Sequence, residues 1–200
     1  MQYTQEQGAT RKAMTVLNIA MVGSDDLAKS IAKATDQRDV HTYVHKESGA
    51  DGPRILSIIR PAKMPERIRP FFNALCAARV GLIEVNEINA AFGEVLVGFA
   101  SAGVEKGIMV INPPEGEWID EDQVKGFFTQ AGLKSWTQCG NDGIEIRHAL
   151  YGLMDEISGN LESAKKEPLV VPIDQHFNVK GIGLVAIGYV QSGSVSVHDE

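Results

Sequence analysis

Over most of the chain, short continuous apolar runs alternate with segments of helical period. Val16 to Val22 is such a run, closed by Gly23, and reads as a strand buried on both faces. Leu27-Ala28-Lys29-Ser30-Ile31-Ala32-Lys33 then carries a helical pattern, and Asp25 and Asp26 open it where a helix N-terminus favours negative charge. Val40–Val44 and Arg54–Ile59 read as two strands joined by the Gly-rich turn Ser48-Gly49-Ala50-Asp51-Gly52. Pro65–Arg79 reads as a helix, with Ile68, Phe71, Phe72 and Leu75 at helical spacing. Val80–Val85 is the next strand, and Asn89–Ala102 is a helix stopped by Gly103. Gly107–Ile111 is another buried strand, ended by Pro113-Pro114. A helix over Glu121–Ala131, a weak strand over Ser135–Cys139 and a helix over Ile144–Leu161 follow. Strands alternating with helices predict a doubly wound, mostly parallel α/β sheet with a site at the carboxyl ends of its strands.

After the charged connector Glu162–Glu167 the helical period disappears. Pro168 to Glu200 carries short β-rich runs punctuated by Gly181, Gly183, Gly188 and Gly193, the pattern of an all-β unit. A small closed barrel needs more strands than this stretch holds. Two readings follow: a truncated piece of a longer protein, or a segment that pairs with another surface. The expected organisation is a disordered extension over 1–13, an α/β domain over 14–162 and a partial β-barrel over 163–200.

Composition narrows the function classes. A hydrophobic share of 44% and a charged share of 22% suit a globular core. A net charge of −7 argues against gripping nucleic acid by bulk electrostatics, though not against a local basic face. Cys76 and Cys139 form neither a disulfide framework nor a zinc spacing, fit a reducing cytosol, and read as two small buried hydrophobes. No apolar run is long enough to span a membrane, and the polar start has no signal-peptide core.

Gly23-Ser24-Asp25-Asp26-Leu27-Ala28-Lys29-Ser30 stands one residue from the phosphate-binding pattern G-x-x-x-x-G-K-[ST], after a strand and opening a helix, as that pattern requires. In such loops backbone N–H groups face phosphate oxygens, while the lysine and hydroxyl reach the phosphates and Mg²⁺. Here Ala28 replaces the second glycine. Asn18 to Lys33 resembles the N-I-G-x-x-G-H-x-D-H-G-K-T opening of elongation factor Tu and its relatives, with Asp26 matching the loop aspartate. Phe92-Gly93-Glu94 and Gly103 to Val110 resemble the following helix and strand, particularly in the selenocysteine-specific elongation factor. Pro172-Ile173-Asp174-Gln175-His176-Phe177-Asn178-Val179-Lys180-Gly181-Ile182-Gly183-Leu184-Val185 resembles the P-I-D-x-x-F-x-V-K-G-x-G-T-V strands that open the second domain of these factors. The chain thus resembles the translational GTPase family over residues 14–200.

The resemblance implies a P-loop NTPase-like fold followed by the first strands of an elongation-factor domain-2 barrel. It implies GTP or GDP with Mg²⁺ as cofactor, held by Gly23, Asp26, Lys29, Ser30, Asn112 and Glu115, with Ser30 on the metal. It further implies a cytoplasmic protein and a tRNA, ribosome or protein partner at the second domain. The departures point to lost turnover. The family's D-x-P-G-H element falls on Ile59-Arg60-Pro61-Ala62-Lys63, and the guanine-reading N-K-x-D on Asn112-Pro113-Pro114-Glu115. The S-A-[KL] element falls on Thr137-Gln138, and Thr42 is a remnant of the Mg²⁺-binding threonine or a plain strand residue. Hydrolysis needs positioning, metal and charge stabilisation together. The expectation is a degenerate GTP-binding domain acting mainly as a binding or regulatory module; the alternative is a GTP-binding factor that delivers aminoacyl-tRNA.

Other groups read as structural. His41 and His45 share a strand face without the carboxylate or cysteine of a metal set, and His148 and His176 stand alone. Arg60, Lys63, Arg67 and Arg69 form either a solvated basic face or a phosphate-facing patch. Trp118 and Trp136 are expected in packing or partner contact.

Overall fold

The computed structural model describes residues 15–49, 52–64, 66–158 and 164–197. The expected N-terminal extension, the tip of the Gly-rich turn and the end of the last helix lie outside the described residues.

β1 (Thr15–Val22) lies inside a seven-stranded sheet. It pairs in parallel with β4 (Gly52–Pro61) on one side and β5 (Val80–Val85) on the other, and the parallel ladder continues to β6 (Lys106–Ile111) and β7 (Ser135–Cys139). β3 (Val40–Gly49) pairs antiparallel with β4, and β2 (Lys33–Gln37) with β3, giving the order β2-β3-β4-β1-β5-β6-β7. The expected doubly wound, mostly parallel sheet is observed. β2 is an addition: α1 (Asp25–Ile31) stops early because Ala32 turns extended at φ −148°, ψ 161°, so Lys33 starts an edge strand rather than ending the helix.

The sheet's two faces are covered differently. α1 and α5 (Gly143–Ser158) bury Leu17, Ile19, Leu56, Ile58, Leu82 and Ile108 on one face. α2 (Ile68–Ala77), α3 (Ala90–Ser101) and α4 (Glu121–Gln130) cover the other with an aromatic layer of Phe71, Phe99, Phe128 and Trp136. Asn89 caps α3 by accepting from the Phe92 N–H at 2.9 Å, and Asp120 caps α4. In α2 the buried stripe is Phe71, Ala74 and Leu75, whereas Ile68 and Phe72, named with them for their helical spacing, are exposed. Cys76 is also exposed on α2 and Cys139 is only half-buried, a correction to the reading of both as buried hydrophobes.

Trp136 shows how glycines shape this layer. A Cβ at Gly81 would stand 2.1 Å from the indole, and one at Gly107 2.6 Å from it, so the two glycines leave bare backbone for the ring. Its Nε1–H donates to the Val104 carbonyl at 3.2 Å, which satisfies the one polar atom buried with it. Trp118, by contrast, is 81% exposed in the loop before α4.

β8 (Ile173–Val179) and β9 (Gly183–Gly188) form a separate antiparallel hairpin, with an isolated bridge between Val170 and Ser192. Positive φ at Gly181 (85°) and Gly183 (103°) lets the chain reverse there, a conformation favouring glycine. The Arg79 guanidinium, just before β5, donates to the carbonyls of Val190 and Gln191 and ties the segment after β9 to the α/β layer.

Candidate functional site

Only Gly23 and Ser24 separate β1 from α1. Ser24 is the N-cap, its Oγ accepting from the Leu27 N–H at 3.1 Å. Lys29 therefore falls in the last turn of α1 rather than beside its first N–H groups. Its Nζ pairs with Asp25 Oδ2 at 2.5 Å, one helical turn back. Asp25 Oδ1 in turn accepts from the Tyr43 hydroxyl. Lys29, then Tyr43, holds the Asp25 carboxyl below its ordinary range. Burial, with Asp25 beside it, pushes the Tyr43 phenol up to about 12.

The N–H of Ser24 has a partner from across the sheet. Glu84, on β5, is 8% exposed and is the buried charged residue among the described residues. Its Oε2 accepts the Ser24 N–H at 2.5 Å and its Oε1 accepts the Asn112 Nδ2–H at 2.7 Å. One carboxylate thus joins the turn after β1 to the residue after β6. Gly23 is what lets it in: a Cβ there would lie 2.8 Å from Glu84 Cβ and 3.0 Å from Oε2. On the other side of the turn, Arg60 of β4 donates its Nε–H to the Gly23 carbonyl at 2.6 Å.

A cavity of about 560 Å³ opens at the carboxyl ends of β1, β5 and β6. Of the candidate residues, Asp26, Ser30, Asn112 and Glu115 line it. Gly23 borders a second cavity of about 290 Å³ on the other side of Glu84. Lys29 lines neither. Ser30 Oγ donates back to the Leu27 carbonyl at 2.7 Å, and its backbone packs against Gly143 of α5. Three lining residues escaped the sequence reading: Glu84, Asn86 and Asn141. Glu84 had one signal, a lone acid inside the otherwise apolar Val80–Val85. Asn141 follows β7, whereas Thr137 and Gln138 lie in β7 with exposed side chains.

The cavity's charge has one sign. Asp26, Glu84 and Glu115 contribute carboxylates, and among the described residues no Lys, Arg or His lines it. The groups a phosphate loop would offer each have an internal partner. The Ser24 N–H is taken by Glu84, the Lys29 ammonium by Asp25, and the Ser30 hydroxyl by a helix carbonyl. These residues do not fit a nucleotide triphosphate with its metal as they stand, and among the described residues no group of metal-ligating side chains assembles.

The remaining candidates are dispersed. Thr42 faces the opposite side of β3 from Tyr43, in a separate cavity with Asn18 and Ser57. Arg67 pairs with Asp39 at 3.1 Å, and Lys63 and Arg69 are solvated. His41 Nδ1 stands 3.5 Å from Arg60 Nη1 and 4.0 Å from Asp25. His45 Nδ1 meets the Tyr151 hydroxyl at 2.9 Å, and burial, then Arg147, holds its pKa below the ordinary value. His148 and His176 are exposed. No described helix is long and apolar enough to cross a membrane.

No protein-family model matches the chain. An uncharacterized protein of Methanocaldococcus jannaschii is 28% identical over 187 residues, which is 93% of this chain and 56% of that protein. Among solved structures, a bacterial selenocysteine-specific elongation factor EF-Sec superposes with a TM-score of 0.60 at 20% identity, over 90% of this chain and 35% of its own. The elongation factor SelB from Methanococcus maripaludis, solved in complex with the GTP analogue GppNHp, superposes with a TM-score of 0.57 at 18% identity, over 93% of this chain and 44% of its own. The chain thus spans about half of its sequence relative and less than half of each structure. What it shares with these elongation factors is the fold.

Proposed function

We propose that this protein is a translation-factor-like binding module, working in the cytoplasm, whose nucleotide site has become structural. The observation that carries this reading is the Glu84 carboxylate, seated on the Ser24 N–H and the Asn112 amide. A phosphate at the turn after β1 would compete with a resident carboxylate for the same donor. It would also enter a cavity with three carboxylates and, among the described residues, no cation to offset them. Asn112 and Glu115, the guanine-reading positions by resemblance, stay in the cavity wall, but the Asn112 amide is committed to Glu84. Hydrolysis is weak or absent in this reading, because the groups that would stabilise charge on a transferring phosphoryl are engaged elsewhere. Docking to tRNA, ribosome or a protein partner falls to the region of the β8–β9 hairpin, whose Ile173, Leu184 and Ile187 are exposed.

The competing reading is a GTP-binding elongation factor with Asp26, Lys29 and Ser30 around GTP or GDP and Mg²⁺. It is favoured by the SelB structure of the same fold, solved with a GTP analogue. Fluorescence anisotropy of labelled GTP and GDP, with and without Mg²⁺, separates the two. The structural-site reading expects no saturable binding and no effect of Lys29→Ala. Tight Mg²⁺-dependent binding abolished by Lys29→Ala would establish the competitor.

A further inference from the structure

We propose that the cleft between the β3–β4 ladder and α5 binds a small-molecule oxyanion, a carboxylate or a phosphate, on the guanidinium of Arg147. This inference goes beyond the reading of the turn after β1 and does not depend on it, because the two cavities share no lining residue.

The cleft encloses about 560 Å³, within the range of small-ligand sites. β3 contributes His45 and Glu47 to its wall, β4 contributes Arg54, and α5 contributes Arg147, Tyr151 and Asp155. Arg54 is the scaffold. Its guanidinium pairs with Glu47 at 3.3 Å and with Asp155 at 2.7 Å, donates to the Tyr151 carbonyl at 2.9 Å and lies 4.7 Å over the Tyr151 ring. Both of these wall carboxylates are thus engaged by Arg54.

Arg147 is held differently. Its Nε–H donates to the Gly143 carbonyl at 3.2 Å, one turn back along α5, which orients a half-buried guanidinium. Its two terminal nitrogens have no partner among the described residues. Asp142, whose carboxyl feels the Arg147 charge, is committed to the start of α5, where its Oδ1 accepts from the Ile144 and Glu145 N–H groups at 2.8 and 3.0 Å. The fork that Arg147 leaves open is the shape a carboxylate or phosphate meets with two parallel hydrogen bonds.

His45 adds a second donor. The Tyr151 phenol is pushed up to about 12, by burial and then by Glu47, so it keeps its proton. It donates that proton to His45 Nδ1 at 2.9 Å, and burial, then Arg147, holds the imidazole below its ordinary pKa. The neutral ring therefore carries its own proton on Nε2, which has no partner among the described residues. Two groups with N–H to give, from β3 and from α5, open on one cleft.

A glycine keeps the space clear. Gly152 lies inside α5, where glycine weakens a helix, yet a Cβ there would meet nothing within 4 Å. Packing does not require it. A side chain at this position would project into the cleft that Gly152 lines.

The test follows the imidazole resonances of His45 and of His148, which lines the same cleft, in the whole chain by NMR. Inorganic phosphate or citrate is added at constant ionic strength. Saturable shifts are expected, with the affinity weakened about tenfold by R147Q. G152L fills the cleft, so binding should be lost while the thermal midpoint holds or rises, leucine being the better helix former. That pairing is one a merely structural Arg147 would not produce. Tighter binding of phosphate assigns the ligand group to a phosphate, and tighter binding of citrate to a carboxylate. Shifts that do not saturate, unchanged affinity in R147Q, or binding retained in G152L would overturn the proposal. Loss of binding in K29A but not in R147Q would also overturn it, by placing the anion at the turn after β1. Tight GTP binding abolished by K29A would sink the structural-site reading and leave this inference standing.

Discussion

Gly23 can be asked directly whether it serves a ligand or serves Glu84. It does not sit in the left-handed region, so Gly23→Ala is a steric perturbation and not a backbone one. The new Cβ would stand 2.8 Å from Glu84 Cβ, 3.0 Å from its Oε2 and 3.1 Å from Met21 Cε. Overpacking of this kind costs about 1–3 kcal/mol. Glu84→Gly removes both Glu84 contacts, Cβ included, but orphans the Ser24 N–H and the Asn112 amide, a loss of about 1–3 kcal/mol beside the roughly 0.5–1 kcal/mol of a glycine inside a strand. The adjoining cavity is polar and roomy enough to admit water to those donors, which favours the lower half of that range. If Gly23 exists to seat Glu84, the double variant loses less than the two singles together, with a coupling of roughly 1 kcal/mol or more. Urea unfolding followed by far-ultraviolet circular dichroism and tryptophan emission measures the four corners of the cycle, provided the slopes agree. Additivity within about 0.5 kcal/mol would refute the reasoning and hand Gly23 back to a ligand.

Three further outcomes follow from the same contacts. Lys29→Ala removes an exposed helix-surface ion pair and should shift the urea midpoint little; a large shift would mean that Lys29 does more than pair with Asp25. Trp136→Ala empties the space over Gly81 and Gly107 and should destabilise the protein by about 3–5 kcal/mol, seen as a lower thermal midpoint; a near-neutral result would contradict the packing described. His45 has a depressed folded pKa, so its neutral form contributes stability that is present above about pH 6.5 and is lost as pH falls through the folded value. His45→Gln should therefore flatten the stability profile below about pH 6.5, and an unchanged profile would remove His45 as its cause.

Much of the architecture was legible because it is locally encoded. Doubly buried strands such as Val80–Val85 and Gly107–Ile111 announce themselves as apolar runs, and α4 begins at an aspartate that caps it. Ser135–Cys139 was legible even as a weak strand, since its one buried residue, Trp136, stands among polar ones. β2 was not, because its Lys-Ala-Thr-Asp-Gln residues pair with β3 alone and need no apolar face. The stop of α1 at Ile31 was hidden for the same reason, as nothing in Ala32-Lys33 forbids another helical turn.

By itself the sequence determined the order of strands and helices apart from β2, the glycine-marked turns, and that Asp26, Ser30, Asn112 and Glu115 meet at the carboxyl ends of the strands. Those features depend on neighbours a few positions away, where side-chain period and backbone preference act directly. Only the tertiary structure decided what the converging residues do. Glu84 reaches Ser24 across 60 positions of sequence and Asn112 across 28, and Tyr43 reaches Asp25 across 18. Each contact satisfies, from within the chain, a polar group at the turn after β1, the start of α1 or the residue after β6. A hydrogen bond has one direction and one set of partners, and the fold alone brings those partners within reach.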